Sequence, residues 1–422
     1  MIFPSSPRCR AVILGLAAGL LVQASADRAQ AEAQLLIEAS TGKVLFAENA
    51  TSPWYPASVT KLMTAYTTLR AIKEGRLSLN TLLPISRNAA AQQPTKMGFK
   101  VGTNVTVDNA LKMLMVKSAN DIAVAIAEGV GGSISGFADL MNANAKRLGM
   151  TQSNFVNPNG LPAENHVTSA RDMAILARAL IREFPEYDSY WHIPAIRYGN
   201  RVMRNYNSLI ARYPGADGMK TGFICASGYN VVASATRNGR RLIAVVLGAW
   251  SGAVRAQKAG QLLERGFNSG GLSWLTPSLG TVDALAPIDA QPPNLRDEMC
   301  GAHRRKPPSE ENEEEPDEST TAASGESGNQ QAFMLSSLKP ANGKFVLGPP
   351  VETAPPVVVF TGPADHPDPV QTAEAPKKKK KKPAAKAEGG EAQAKPAKKD
   401  QAASKPNKPA KHVKPKVSSA SQ

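Results

Sequence analysis

An α/β domain of about 240 residues is predicted, a helical layer on a sheet whose early and late strands pair with each other. Three observations predict it. A hairpin signal, Ser40-Thr41-Gly42, opens the chain's patterned region, and five helical patterns follow between residues 58 and 181. A second hairpin signal, Asn238-Gly239, then comes late, ahead of a closing helix.

The elements follow in order. Two apolar stretches within Gln34–Glu48 flank the first turn. Pro56 suits the first turn of a helix, because proline lacks the N–H that would go unpaired there. That helix includes Ser58, runs to about Lys73 and is capped by Gly75. Residues 77–107 are irregular, with strand-like pieces at Leu82–Ile85 and Asn104–Val107. Asp108 is expected to cap a helix over Asn109–Met115. A break at Lys117-Ser118-Ala119-Asn120-Asp121 precedes a second helix, to Glu128. Ile134–Leu148 is a third, ended by Gly149, and the box Ser169-x-x-Asp172 opens a fourth through Ile181. Strands return at Gly218–Phe223, Tyr229–Thr236 and Arg241–Trp250. Asn-Gly between the last two is a strong hairpin signal. Val254–Phe267 closes the domain as a helix.

The ends carry different chemistry. Arg8 and Arg10 precede a 12-residue apolar run, Ala11–Val22, and small residues at Ala24-Ser25-Ala26 and Ala29-Gln30-Ala31. Residues 1–31 therefore read as a secretory signal peptide, too short in its apolar part for a span of about 20 residues. The protein is expected to be exported, to a periplasm or cell wall, or peripherally to the outer face of the inner membrane. Residues 272–422 lack sustained periodicity and read as a Pro-rich, acidic and then Lys-rich disordered tail. Phe333–Leu338 and Val357–Phe360 are apolar islands in it that could dock elsewhere. The net charge of +15 is concentrated there: residues 377–422 hold 15 lysines and three acids. The charge thus speaks for contact of the tail with an anionic wall polymer or membrane surface, not for specific nucleic-acid binding. Cys225, inside the domain, and Cys300, in the tail, are expected to be free thiols.

Ser58 and Lys61, three apart at a helix start, share one face. A hydroxyl beside a desolvated amine is an activated nucleophile in outline. Ser-x-x-Lys recurs at Ser40/Lys43 and Ser336/Lys339, in a turn and in the tail, so the pair needs company. It has Ser118-Ala119-Asn120 between two helices and Lys220-Thr221-Gly222 on a strand.

This ordered set resembles the low-molecular-mass penicillin-binding proteins, serine-type D-alanyl-D-alanine carboxypeptidases of the β-lactamase/transpeptidase-like superfamily. The resemblance covers residues 34–270. It includes Phe155-Val156-Asn157-Pro158-Asn159-Gly160-Leu161, Ser169-Ala170-Arg171-Asp172-Met173-Ala174, Asp217 to Phe223 and Ser227-Gly228-Tyr229-Asn230. It implies an antiparallel sheet with a helical subdomain and removal of D-alanine from peptidoglycan stem peptides ending in D-Ala-D-Ala. Ser58 would be the nucleophile, Lys61 its base and Ser118 a proton relay. Asn120, Lys220, Thr221, Gly222, Phe223 and Arg255 would bind substrate, with an oxyanion hole at the Ser58 and Phe223 amides. β-Lactams would be covalent inhibitors, and neither metal nor cofactor is implied. Ile224-Cys225 departs from the family's small polar pair after the third motif.

Alternatives stand beside this. Ser118 and Asn120 could cap a helix, Arg255 could be a surface arginine, and His166 and His192 invite a Ser-His-Asp reading without a nucleophile elbow. Endopeptidase action on cross-linked wall, and a wall-tethering protein with a vestigial site, are compatible with the same motifs. A class A β-lactamase would need a deacylating Glu-x-x-Leu-Asn, and Glu164 lacks that spacing.

Overall fold

The computed structural model describes residues 32–269, 278–302 and 347–370. Strands β1 (Ala33–Glu38) and β2 (Val44–Glu48) make the first hairpin. A 3-10 turn, Ala57–Thr60, runs into helix α1 (Lys61–Lys73). Strands β3 (Leu82–Pro84) and β4 (Asn104–Thr106) pair with each other. Helices α2 (Val107–Val116), α3 (Asn120–Gly131), α4 (Ile134–Leu148) and α5 (Ala170–Glu183) follow. A small hairpin, β5 (Ala195–Tyr198) and β6 (Arg201–Arg204), precedes β7 (Ala216–Ile224), β8 (Gly228–Arg237) and β9 (Arg240–Ala249). Helix α6 (Gly252–Asn268) closes the domain, and α7 (Arg296–Cys300) and β10 (Val357–Val358) come from later stretches.

The central sheet has the order β2-β1-β9-β8-β7 and is antiparallel throughout, so the first strands lie beside the last. β1 pairs with β9 from Ala33↔Leu247 to Glu38↔Leu242. Alternation along β9 separates two cores, because successive side chains point to opposite faces. Leu242, Ala244 and Val246 pack with Leu262 and Leu263 of α6. Ile243, Val245 and Leu247 join the larger core with Leu62, Tyr66 and Leu69 of α1. Helix α1 is buried along most of its length, which anchors the turn that carries Ser58.

Several boundaries move. Ser58 lies in the 3-10 turn and not in the α-helix; in a 3-10 turn residues i and i+3 eclipse, which stacks Lys61 over Ser58. Thr106, not Asp108, caps α2: Thr106 Oγ1 accepts from the Asn109 N–H at 3.3 Å. Asp108 instead accepts from the Tyr190 hydroxyl and from Lys112, each at 2.6 Å. The β5–β6 hairpin was not expected from the pattern, although Gly199-Asn200 between its strands is a turn signal.

Part of the sequence past Gly271 belongs to the fold. Val282 N–H donates to Gly42 O at 2.8 Å, Leu295 N–H to Ala226 O at 3.0 Å, and Met299 is buried. The island at Val357–Phe360 docks: β10 pairs in parallel with β5, and Phe360 N–H donates to Asn109 Oδ1 at 3.2 Å. The default of a disordered tail is corrected for residues 278–302 and 347–370, because short apolar segments can be ordered by docking on an existing surface without periodicity of their own. Residues 1–31, the island Phe333–Leu338, the acidic run and the polylysine block lie outside the described residues.

The free-thiol expectation is also corrected. Cys225 and Cys300, 75 residues apart, form a disulfide with a Cα–Cα distance of 5.7 Å. The expectation rested on Cys300 standing apart from the domain, whereas the docked 278–302 segment brings it to bonding range. Thiol titration of the unfolded 422-residue chain without reductant should find one thiol, Cys9, and neither Cys225 nor Cys300. Replacing both by serine should cost about 2–4 kcal/mol, read from the denaturation midpoint; an unchanged midpoint would contradict the bond.

Candidate active site

The backbone at Ser58 is held by three neighbours. Ala57 has φ +50°, a left-handed conformation that a non-glycine residue keeps only where its surroundings impose it. Asn230 Nδ2 donates to Tyr55 O and Pro56 O, each at 3.0 Å. Gly160, at φ +81°, approaches so closely that a Cβ there would sit 1.8 Å from Ala57 O. A Cβ at Gly222 would sit 2.6 Å from Ser58 N, so only glycine lets β7 press on the nucleophile's amide.

Lys61 is fully buried beneath Ser58. Its Nζ donates to Ser58 Oγ at 2.8 Å, Asn120 Oδ1 at 2.8 Å and Asn159 O at 2.7 Å. The loop that supplies Asn159 O is stiffened by its own side chains. Asn157 Oδ1 accepts from Gly160 N–H at 2.8 Å, and Asn157 Nδ2 donates to Leu161 O at 2.9 Å. Asn159 Nδ2 in turn donates to Gln92 Oε1 at 3.0 Å.

Ser118 sits between α2 and α3 at φ +57°, with its carbonyl accepting from Thr95 Oγ1 at 2.8 Å. The N-cap of α3 is Ala119, with no side-chain cap bond, so capping explains neither Ser118 nor Asn120. Asn120 divides its amide: Oδ1 meets Lys61, and Nδ2 donates to Gln93 O at 3.0 Å. Ser118 Oγ and Thr221 Oγ1 are both buried without a partner among the described residues. Buried hydroxyls are normally paired, and a ligand's polar atoms would complete these two.

Lys220 is buried on β7 and donates from Nζ to Thr221 O at 3.0 Å. The Phe223 ring lies 4.3 Å from that of Tyr229. Arg255, in the first turn of α6, is only 3% exposed, which excludes a surface arginine. It reaches Asn230 O at 3.4 Å and Tyr206 O at 3.3 Å, and its guanidinium carbon lies 5.7 Å from the Tyr229 ring centre. The structure thus joins Ser58, Lys61 and Asn120 directly, and sets β7 on Ser58 through Gly222. Arg255 connects through Asn230. Glu164 is exposed on its loop.

Three residues that organise this site, Asn159, Asn230 and Tyr206, were not singled out as site residues from the sequence, and a fourth, His166, was read there only as a triad candidate. Their signals are weak alone, although Asn157-Pro158-Asn159-Gly160 is legible as turn chemistry. His166 is no triad member. Its Nδ1 accepts from the Val156 N–H at 3.0 Å, which leaves the proton on Nε2 to donate to Thr60 Oγ1 at 2.9 Å. It therefore staples the 154–166 loop to the Ser58 turn. Burial pushes the His166 pKa down to about 4. The unfolded chain then binds a proton that the native one refuses, so this stabilisation is complete above about pH 6.5 and declines as pH falls toward 4. Between pH 7.5 and 4.5 the wild type should lose about 2–3 kcal/mol more stability than His166→Gln. Denaturation midpoints at the two pH values check this, and equal losses would contradict it.

Comparison with known proteins gives a consistent picture. A family model described as Peptidase_S11, D-alanyl-D-alanine carboxypeptidase, matches residues 21–251. The chain is 36% identical over 249 residues to the D-alanyl-D-alanine carboxypeptidase DacC of Escherichia coli, across 57% of this chain and 62% of that protein. It spans that same 62% of the Bacillus subtilis relative DacF. The crystal structure of penicillin binding protein 5 from Haemophilus influenzae aligns with TM-score 0.54 and 34% identity, over 56% of this chain and 71% of that one. Penicillin-binding protein D2 of Listeria monocytogenes, in a cefotaxime-bound form, aligns with TM-score 0.52 and 29% identity, over 57% of this chain and 98% of that one.

Proposed function

The chain belongs to the D-alanyl-D-alanine carboxypeptidase family of serine peptidases, and on that premise we propose that it removes the terminal D-alanine from peptidoglycan stem peptides ending in D-Ala-D-Ala. The observation that carries this reading is Lys61 Nζ at 2.8 Å from both Ser58 Oγ and Asn120 Oδ1.

In this reading the reacting form of Lys61 is the neutral amine, which desolvation favours; it keeps its two N–H bonds to Asn120 Oδ1 and Asn159 O and turns its lone pair to the Ser58 hydroxyl. It takes the Ser58 proton as Oγ bonds to the carbonyl carbon of the penultimate D-alanine. The oxyanion that forms meets the Ser58 and Phe223 amides, donors typically worth about 3 kcal/mol each. The C–N bond then breaks, Ser118 gives its proton to the leaving amine, and Lys61 returns one to Ser118. Water hydrolyses the remaining ester by the reverse route. Lys220, Thr221 and Arg255 serve the terminal carboxylate, and Asn120 the substrate amide. β-Lactams would acylate the same serine and leave slowly, since Glu164 is not placed as a deacylating base.

The same proposal puts the protein outside the cytoplasmic membrane. The Cys225–Cys300 disulfide suits an oxidising compartment. Contact of the basic tail with wall or membrane surface belongs to the proposal too. Fractionation of full-length protein and of protein lacking residues 377–422 checks both points. Incubation with a pentapeptide ending in D-Ala-D-Ala, and with a cross-linked dimer, tests the activity. Free D-alanine from the first supports the carboxypeptidase, cleavage of the second alone would make the protein an endopeptidase, and neither would overturn the reading.

A further inference from the structure

Tyr206 follows the β5–β6 hairpin and touches two parts of the site from opposite ends. Its hydroxyl accepts from Lys117 Nζ at 2.8 Å, and its carbonyl accepts from Arg255 Nη2 at 3.3 Å. The Lys117 amine lies 5.4 Å from the ring centre. Together these distances put the amine beyond the hydroxyl at the ring edge, which makes the contact a hydrogen bond and not a cation–π pair.

The Tyr206 backbone is fixed on both sides. Asn205 N–H donates to Pro194 O at 2.8 Å and Asn205 Nδ2 to Ile193 O at 2.9 Å. Asn207 N–H donates to Asn205 Oδ1 at 2.9 Å, and Asn207 Nδ2 to Gly218 O at 2.8 Å, on the strand that carries Lys220. The hairpin is braced in turn by β10, which adds a strand to it. Tyr206 itself is 6% exposed, so its ring has one packed orientation.

Lys117 precedes Ser118, whose φ of +57° costs about 1–3 kcal/mol and persists only where neighbours over-determine it. Thr95 Oγ1 holds the Ser118 carbonyl from one side. Lys117, at the end of α2, is tied down on the other by Tyr206.

We infer that Tyr206 is a positioning residue that sets Ser118, through Lys117, in one frame with Arg255. This rests on the carboxypeptidase reading, in which Ser118 moves a proton and Arg255 serves the carboxylate. Loss of the tether would let the Ser118 turn drift, and a displacement of about 1 Å costs up to about a hundredfold in rate. Substrate affinity would change little, because the Arg255 contact uses the Tyr206 carbonyl, which no side-chain change removes.

The test is single-turnover acylation of Tyr206→Phe, Lys117→Met and the double variant by penicillin, in the full chain. Each single variant should lower the limiting acylation rate about tenfold, with the half-saturating concentration within about twofold of wild type. The double variant should also lose about tenfold, since both changes cut one tether. A Tyr206→Phe limiting rate within about twofold of wild type, or a double loss near a hundredfold, would overturn the inference. A wild type that forms no adduct at Ser58 would overturn the functional reading, and this inference with it.

Discussion

Ser58→Ala should bring D-alanine release down by at least about 10⁴-fold. The size of the effect follows from covalency. Without Oγ there is no acyl-enzyme, and the oxyanion donors and carboxylate-binding groups can only hold a substrate that nothing attacks. The fold should survive, because the substitution removes one half-buried oxygen whose bond is to Lys61. A melting curve within about 1 kcal/mol of wild type is expected, and it separates lost chemistry from lost structure. Release above about one per cent of wild type would mean that another group attacks the substrate.

Lys61→Met is the second large effect, about 10²–10⁴-fold on acylation, the range over which a positioned proton acceptor acts. Its loss is smaller than that of the nucleophile, because Ser58 remains and water can take the proton poorly. Stability should fall more than for Ser58→Ala. Lys61 is buried, and its removal leaves Asn120 Oδ1 and Asn159 O short of a donor, at about 1–3 kcal/mol for each unsatisfied group. Acylation by penicillin measured on the folded fraction isolates the kinetic part. A drop of less than about tenfold would remove Lys61 from the role of base.

The sheet was legible because its signals are local: Ser40-Thr41-Gly42 and Asn238-Gly239 each close a hairpin within a few residues. The pairing of β1 with β9 followed once helices were seen to separate the two hairpins. The motif residues were legible as a set, since a turn, a helix break and a strand each carried its own fragment. Residues that act through space were not. Asn230 sits 175 residues from the Tyr55 carbonyl it holds, and no periodicity encodes that distance. His166 looked like chemistry and is a staple; only its partners Val156 and Thr60 tell the two apart. The docked stretches after Gly271 escaped for a related reason. Their order comes from the surface that receives them, as at Leu295 on Ala226 and Val357 on Ile196, and not from a pattern of their own.

The disulfide illustrates how one such docking changes the site's surroundings. Cys225 lies two residues after Phe223, where the sequence already departed from the family pattern. The 278–302 segment is thus covalently attached beside the strand that presses on Ser58.

Acylation of Ser58 is read directly by mass spectrometry of the penicillin-treated protein. A penicilloyl mass on the peptide that contains Ser58, persisting over minutes and absent from Ser58→Ala, is the predicted result. An adduct on a different residue, or rapid penicillin hydrolysis with no adduct at all, would contradict it.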